Sequence, residues 1–321
     1  MRRRLCALLA AFSALPLALA LAPAAHAADP TTMTSGFYVD PNSSAKRWVA
    51  ANPGDGRAPA IESAIADTPM AHWFGSWSGT IGTATGAYVG AAAYQHKLPL
   101  LVAYNIYKRD YCGGQSSGGA SSPSAYANWI AQFAGGIADR PAVVLLEPDS
   151  LADYDCMNQA QIDQRESMIT GALTQFNRQA PNTWVYLDAG NPHWVSAAAM
   201  AQRLNAAGLR QAHGFSLNIS NYFTTADNIA YGNAVNSELS ARYGYTKPFV
   251  VDTSRNGNGS DGQWCNPPGR RIGTPTQRGG GAEMLLWIKT PGESDGDCGV
   301  GAGSSAGQFL PEAAYKMIYG Y

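Results

Sequence analysis

The chain has 321 residues and a formal net charge of −1. That balance, with no basic patch, excludes the electrostatic surface that nucleic-acid binding requires. Eight tryptophans and sixteen tyrosines against 14% charged residues suit a protein that handles neutral polar ligands on aromatic surfaces, or one with a large core.

The first residues, MRRRLCALLAAFSALPLALALAPAAHA, have the parts of a secretory signal. Arg2, Arg3 and Arg4 form the basic end, Leu5 to Leu21 the apolar stretch, and Ala25-His26-Ala27 a small-x-small cleavage site. Pro16 interrupts the apolar stretch, which is also short for a membrane span. Nothing later resembles a transmembrane helix, so no membrane partner is expected. Cleavage would start the mature chain near Ala28 and take the formal charge to about −4. Residues 28–321 then form one large domain with a substantial core, with no repeat and no linker to a second module.

Along that domain, short apolar runs recur at Phe37–Val39, His72–Phe74, Leu98–Ile106, Val143–Leu146, Trp184–Leu187, Phe215–Ile219, Phe249–Val251 and Met284–Ile288. Their apolarity is continuous rather than alternating, which predicts strands buried on both faces. Helical spacing lies between several of them. Tyr126, Ile130, Phe133 and Ile137 follow a Pro123-Ser124 start, and Ile162, Ile169, Leu173 and Phe176 follow Asn158. Strand and helix in alternation predict a parallel α/β fold, either a closed barrel or an open doubly wound sheet. The acids favour the barrel. Asp40, Asp110, Asp149, Asp188 and Asp252 each follow an apolar run, and barrel enzymes keep their active sites at the C-terminal ends of strands. Two Gly/Ser-rich loops, 113–124 and 256–281, are flexible enough to act as lids.

Two chemistries compete. Gly114-Gln115-Ser116-Ser117-Gly118 fits a hydrolase nucleophile elbow, but no strand immediately precedes it and no helix immediately follows. Paired carboxylates fit better. Glycoside hydrolysis needs one acid kept protonated for the leaving oxygen and a second group to activate water or attack the sugar. In Ala142 to Cys156, AVVLLEPDSLADYDC, an apolar strand runs into Glu147 and Asp149. If the strand stays extended, both acids point to one side. Glu147 is then a buried structural carboxylate without an identified partner, and Asp149 the acid that meets a substrate. The plainer alternative is that Asp149 caps a helix beginning near Ser150. Cys112, Cys156, Cys265 and Cys298 remain after the signal and predict two disulfides in one of three pairings. None has a zinc-type C-x-x-C spacing, so neither a metal nor another cofactor is expected.

FYVDPNS, VAYNIYKRDYC, LLEPDSL, YLDAG, NISNY, VVDTSRNGNG, WCNPPGR and LLWIKTPGESDG occur in this order. Together they resemble the catalytic domain of glycoside hydrolase family 6, the inverting β-1,4-glucan cellulases, over about Phe37 to Ala314. The resemblance implies a single-domain, TIM-like, distorted parallel (β/α) barrel of about seven strands. It implies that Asp149 is the general acid, and that Asp110 holds the acid's pKa high and assists with the water. It makes Asp295 the proposed general base, Asp188 a carboxylate near the reacting sugar, and Tyr104 the residue that presses the sugar out of its relaxed chair. Lys289 and Glu293 would bind hydroxyls beside the cleavage point, with Asn218 and Asn221 of NISNY also in the substrate site. Trp73, Trp194, Trp264 and Trp287 resemble glucose-stacking platforms, whereas Trp184, inside its strand, is expected to pack in the core. The implied disulfides are Cys112–Cys156 and Cys265–Cys298. The implied partner is cellulose or soluble cello-oligosaccharide, and a secreted monomer is expected. A compact domain with a short Cys265–Cys298 segment favours internal cleavage over an exo-acting tunnel. A non-catalytic glucan-binding protein is disfavoured because the carboxylates are kept. Three departures from the family pattern stand out: Tyr111 between Asp110 and Cys112, Tyr107-Lys108 ahead of them, and Asn191 where a histidine is usual.

Overall fold

The computed structural model describes residues 28–113 and 116–321. The segment assigned to the signal, and Gly114 and Gln115 of the serine motif, lie outside the described residues.

Helix α1 (Ser44–Ala51) starts where the Ser43 hydroxyl accepts the Lys46 N–H, and the short α2 (Ala58–Ile61) follows. Strand β1 (His72–Phe74) and helix α3 (Ile81–Tyr94) lead into β2 (Leu100–Ala103). Helix α4 (Pro123–Ile137) has Ser122 as its cap and a proline in its first turn, where a missing N–H costs nothing. Strand β3 (Ala142–Leu146) is followed by α5 (Gln159–Gln179), which opens on a reciprocal Asn158/Gln161 capping box. Then come β4 (Thr183–Asp188), α6 (Ala197–Ala206), β5 (Gly214–Leu217), α7 (Thr225–Tyr243) and β6 (Phe249–Asp252). Two-residue β7 (Gln277–Arg278), β8 (Met284–Leu286) and α8 (Pro311–Tyr319) complete the order. The two helices read from spacing are therefore α4 and α5.

The strands form one sheet in the order β1-β2-β3-β4-β5-β6-β8-β7. Seven run parallel; β7 pairs antiparallel with β8 at the edge. Alternation along the strands splits the core in two. Leu100, Val102, Val143, Leu145, Trp184, Tyr186, Val250, Met284 and Leu286 fill the inside of the curl. Leu101, Val144, Leu146, Leu187, Leu217 and Val251 face outward and pack against helix residues such as Ile130, Phe133, Ile169, Leu204 and Val235. Each such aliphatic side chain contributes about 1.5–3 kcal/mol on burial, so both faces hold the helices and strands together.

The curl brings the first and last parallel strands together without a full ladder. The Ala71 N–H donates to the Trp287 carbonyl at 2.9 Å, and the Trp73 indole N–H to the Ile288 carbonyl at 2.8 Å. The result is the distorted, mostly parallel barrel. Phe37 makes only a single bridge to Leu98 instead of the expected strand, and β7 arises in a loop with no strand signal. The loop 256–281 is pinned rather than free: Gly257 N–H bonds Arg271, and Asn258 reaches the Gly269 and Gly320 carbonyls.

Candidate active site

Every parallel strand ends on the same side, and the segments leaving those ends enclose a cleft of about 1220 Å³. Asp40, Trp73, Trp77, Tyr104, Asp110, Asp149, Asp153, Trp194, Asn221, Trp264, Lys289, Glu293 and Asp295 line it. The chain leaves β3 abruptly. Glu147 and Asp149 have φ of +51° and +69°, so the segment is not extended and the two acids do not share a side as the sequence reading expected. Glu147 turns inward, fully buried, and accepts the Asn105 and Ile106 N–H groups at 2.9 Å, which supplies its missing partners. Burial pushes its carboxyl up to about 7 against those bonds. Asp149 opens into the cleft, and α5 starts only at Gln159, so it caps no helix near Ser150.

Behind Asp149 lies Asp188, which is buried and outside the cleft lining. Its Oδ2 accepts the Asp149 backbone N–H at 2.9 Å and the Gly190 N–H at 3.2 Å. Asp188, expected near the reacting sugar, therefore braces the Asp149 backbone from behind the cleft lining. Burial, followed by the like charges of Asp188, Asp110 and Asp153, holds the Asp149 carboxyl well above the usual carboxylate range. Burial pushes Asp188 up to about 6, opposed by the N–H donors around it. Asp110 is also raised by burial, although the Tyr104 hydroxyl (3.2 Å) and Ser116 N–H (2.9 Å) donate to it. Tyr104 is thus fixed beside Asp110, with its ring edge against Trp73 at 5.2 Å between centroids.

Asp295 is in the opposite electrostatic state. Burial would raise its carboxyl, but Arg255 and Lys289 overcome this and hold it below the usual value. Arg255 Nη1 donates to both oxygens at 3.0 and 2.9 Å, and Lys289 Nζ stands at 3.6 Å. The Tyr222 hydroxyl and the Asn266 N–H add bonds of 3.2 and 3.1 Å. Lys289 is positioned in turn by Asp252, the buried acid ending β6, which accepts the Ile288, Lys289, Ser220 and Ser254 N–H groups. Glu293 accepts from the Ser44 hydroxyl at 2.6 Å at the cleft wall.

Four of the five strand-end acids thus meet at this end of the barrel in separate states: Asp149 raised at the cleft, Asp110 beside it, Asp188 behind it, and Asp252 under the Lys289 segment. Asp40 pairs with His72 at 3.0 Å farther along the wall. One carboxyl held above the usual range and another held below it, both lining one cleft, are the equipment of glycosidic-bond cleavage.

The pattern described as Glycosyl hydrolases family 6 matches residues 32–319. The protein belongs to glycosyl hydrolase family 6. Endoglucanase 1 of Streptomyces halstedii is 79% identical over 321 residues, covering 100% of both chains. Endoglucanase A of Thermobispora bispora is 42% identical, covering 98% of this chain and 67% of that one. An endoglucanase of Mycobacterium tuberculosis, solved in complex with a methyl-cellobiosyl-4-deoxy-4-thio-β-D-cellobioside, superposes with a TM-score of 0.81 at 38% identity. That superposition covers 91% of this chain and 99% of the other.

Within this family 6 enzyme, two residues expected in the substrate site are elsewhere. Trp287 is 0% exposed, packs with Ile61, Ile65, Met70 and Ala314, and donates its indole N–H to the Thr274 carbonyl. It is core, because its side chain faces the layer under α1, α2 and α8 while its neighbours Leu286 and Ile288 face the barrel interior. Asn218 is also fully buried; with φ +67° it shapes the turn after β5, donating to the Phe223 and Asp252 carbonyls. Asn221, by contrast, lines the cleft, as do Trp73, Trp194 (40% exposed) and Trp264 (50% exposed). Trp184 is core, stacked on His213 at 3.9 Å.

Sequence reading missed Trp77, 57% exposed on the cleft wall, and Arg255, whose place in VVDTSRNGNG three residues past a strand-end acid was its only signal. The Tyr111 insertion disturbs neither neighbour. Asp110 still meets Tyr104, and Cys112 and Cys156 still join with Cα atoms 5.4 Å apart. Tyr111 swings outward, where its hydroxyl accepts from Gln161 at 2.9 Å. Cys265 pairs with Cys298. Asn191, in the usual histidine position, is buried at the cleft and accepts the His193 N–H at 3.0 Å.

Proposed function

We propose that the protein is a secreted, monomeric endo-β-1,4-glucanase that cuts cellulose and soluble β-1,4-glucans internally with inversion. The observation that carries this reading is Asp149, a carboxyl that burial and like charges hold well above the usual carboxylate range in an aromatic-lined cleft of a family 6 barrel. Asp149 donates its proton to the departing glycosidic oxygen, while water attacks the opposite face of the sugar. Asp188 keeps Asp149 in place through its backbone and, when ionised, keeps its proton on. Tyr104, braced by Asp110 and Trp73, presses on the ring at the reacting centre.

Asp295, its oxygens occupied by Arg255, Tyr222 and Asn266, is a weak proton acceptor. It serves as a fixed anion beneath the positive charge that develops on the sugar. Asp110, with its raised carboxyl, is the better acceptor for the proton lost by water. Lys289, Glu293 and Asn221 bind hydroxyls, and Trp73, Trp194 and Trp264 carry glucose rings. Export rests on the N-terminal Arg2 to Ala27 pattern and on two disulfides, which persist in oxidising compartments. N-terminal sequencing of the exported enzyme is expected to begin near Ala28, and light scattering to report one chain.

The test is reducing-sugar release from carboxymethylcellulose. Wild type is active and Asp149→Asn is reduced by about 10²-fold or more. A silent wild type ends the enzyme reading, and undiminished activity in Asp149→Asn removes Asp149 as the acid. Rapid loss of viscosity per bond cut, and NMR of the first-formed anomer, check internal cleavage and inversion.

A further inference from the structure

Arg165, on α5, is 1% exposed, yet among the described residues it pairs with no carboxylate within salt-bridge distance. A buried guanidinium without a directly paired counter-ion is costly, the charges of Asp153, Glu147 and Asp110 acting on it only from beyond ion-pair distance, and its Nε has no hydrogen-bond partner. Its two terminal nitrogens go to two different loops. Nη1 donates to the Ser150 carbonyl at 3.2 Å, one residue after Asp149, and Nη2 to the Lys108 carbonyl at 2.6 Å, two residues before Asp110.

Those loops carry backbone strain. Lys108, Asp110, Glu147 and Asp149 all have positive φ, a region that non-glycine residues adopt at a cost and keep only when surroundings over-determine it. Glu147 supplies part of that determination by accepting N–H groups of Asn105 and Ile106 from the first loop, alongside the Asp188 bond to the Asp149 N–H and the Cys112–Cys156 bridge. Arg165 adds a link from the other side by donating to carbonyls of both loops. The planar fork reaches two acceptors at once in fixed geometry, which an ammonium on a flexible stem does not reproduce.

We propose that Arg165 is a positioning residue for catalysis: by bridging the Ser150 and Lys108 carbonyls it sets the placement of Asp149 relative to Asp110. It touches no substrate and does not line the cleft. Its loss therefore acts on the chemical step and leaves the sugar-binding walls of Trp194, Trp264 and Lys289 as they are. This rests on Asp149 and Asp110 working together as assigned above.

The experiment is kcat and KM on a soluble β-1,4-glucan for wild type, Arg165→Met and Arg165→Lys, with near-UV circular dichroism to establish native packing. A misplacement of about 1 Å costs about 10²-fold, so Arg165→Met is expected to lose kcat on that scale with KM within about twofold. Arg165→Lys, able to satisfy one carbonyl at a time, is expected between Met and wild type. If Arg165→Met does not fold, Arg165→Lys decides: a lowered kcat at unchanged KM supports the proposal. Wild-type kcat in either folded variant overturns it, and so does a loss shared equally by kcat and KM, the mark of general loosening. An inactive wild type would instead fail the enzymatic reading, which keeps the two outcomes apart.

Discussion

Arg255→Met probes the Asp295 site most directly. Arg255 is fully buried, forks onto both Asp295 oxygens through one nitrogen, donates through the other to the Ser220 carbonyl, and stacks 4.4 Å from the Tyr222 ring. Removing one partner of a buried ion pair costs about 3–5 kcal/mol because the other charge is left uncompensated. Lys289, at 3.6 Å, still faces Asp295 and places the expectation near the lower end, at about 3 kcal/mol. For a domain of this size that amounts to a drop in Tm on the order of 6 °C. The pH dependence has a fixed sign. Asp295 is depressed in the folded state, so the pair stabilises fully above the ordinary aspartate value and less as pH falls through the folded one. Calorimetry at near-neutral pH should therefore show the full gap between the two proteins, narrowing below about pH 4. Asp295→Asn in the Arg255→Met background removes the stranded charge and should recover part of the loss. A Tm within about 1 °C of wild type at neutral pH would refute the reasoning, since a buried charge cannot lose its main partner for nothing.

Asp188→Asn removes one of the like charges that raise the Asp149 carboxyl, so the alkaline limb of kcat/KM should move to lower pH. A limb that stays or moves upward counts against Asp149 as the proton donor. The tryptophans should separate by burial. Trp287→Ala empties a core site and should cost about 3–5 kcal/mol in denaturant titrations, whereas Trp264→Ala should raise KM with little change in stability. Trp77→Ala should likewise weaken binding of long oligosaccharides more than short ones, measured as KM against chain length. Cys112→Ser, which unties the Asp110 loop from the segment after Asp149, should lower both Tm and kcat in thermal and activity assays.

Much of this organisation is written locally. The β3 run AVVLL is continuous in apolarity, and only a strand covered on both faces tolerates that. Pro123 and Asn158 mark helix starts because their effect, a missing N–H or a side-chain cap, is confined to one turn. The acids at strand ends point to the catalytic face for the same reason: the position of a loop relative to its own strand is a local property.

What a side chain does at that face is decided by contacts distant in sequence. Asp149 and Asp295 are both aspartates beyond apolar strands, yet one is raised by burial beside Asp188 and Asp110 and the other lowered by Arg255 and Lys289. The sign of each shift depends on which charges the barrel closure brings near, and no residue spacing records it. Trp287 and Trp264 resemble sugar platforms equally well as residues, and only packing separates the core side chain from the exposed one. Glu147 turned from a puzzling buried acid into a clamp once the left-handed turn after β3 placed it under two N–H groups of the neighbouring strand's exit. The sequence by itself therefore determined the parallel α/β class, the working end of its strands and the residue types gathered there. Tertiary structure alone decided which carboxyl is raised and which is lowered, because electrostatics in a buried site is set by through-space neighbours.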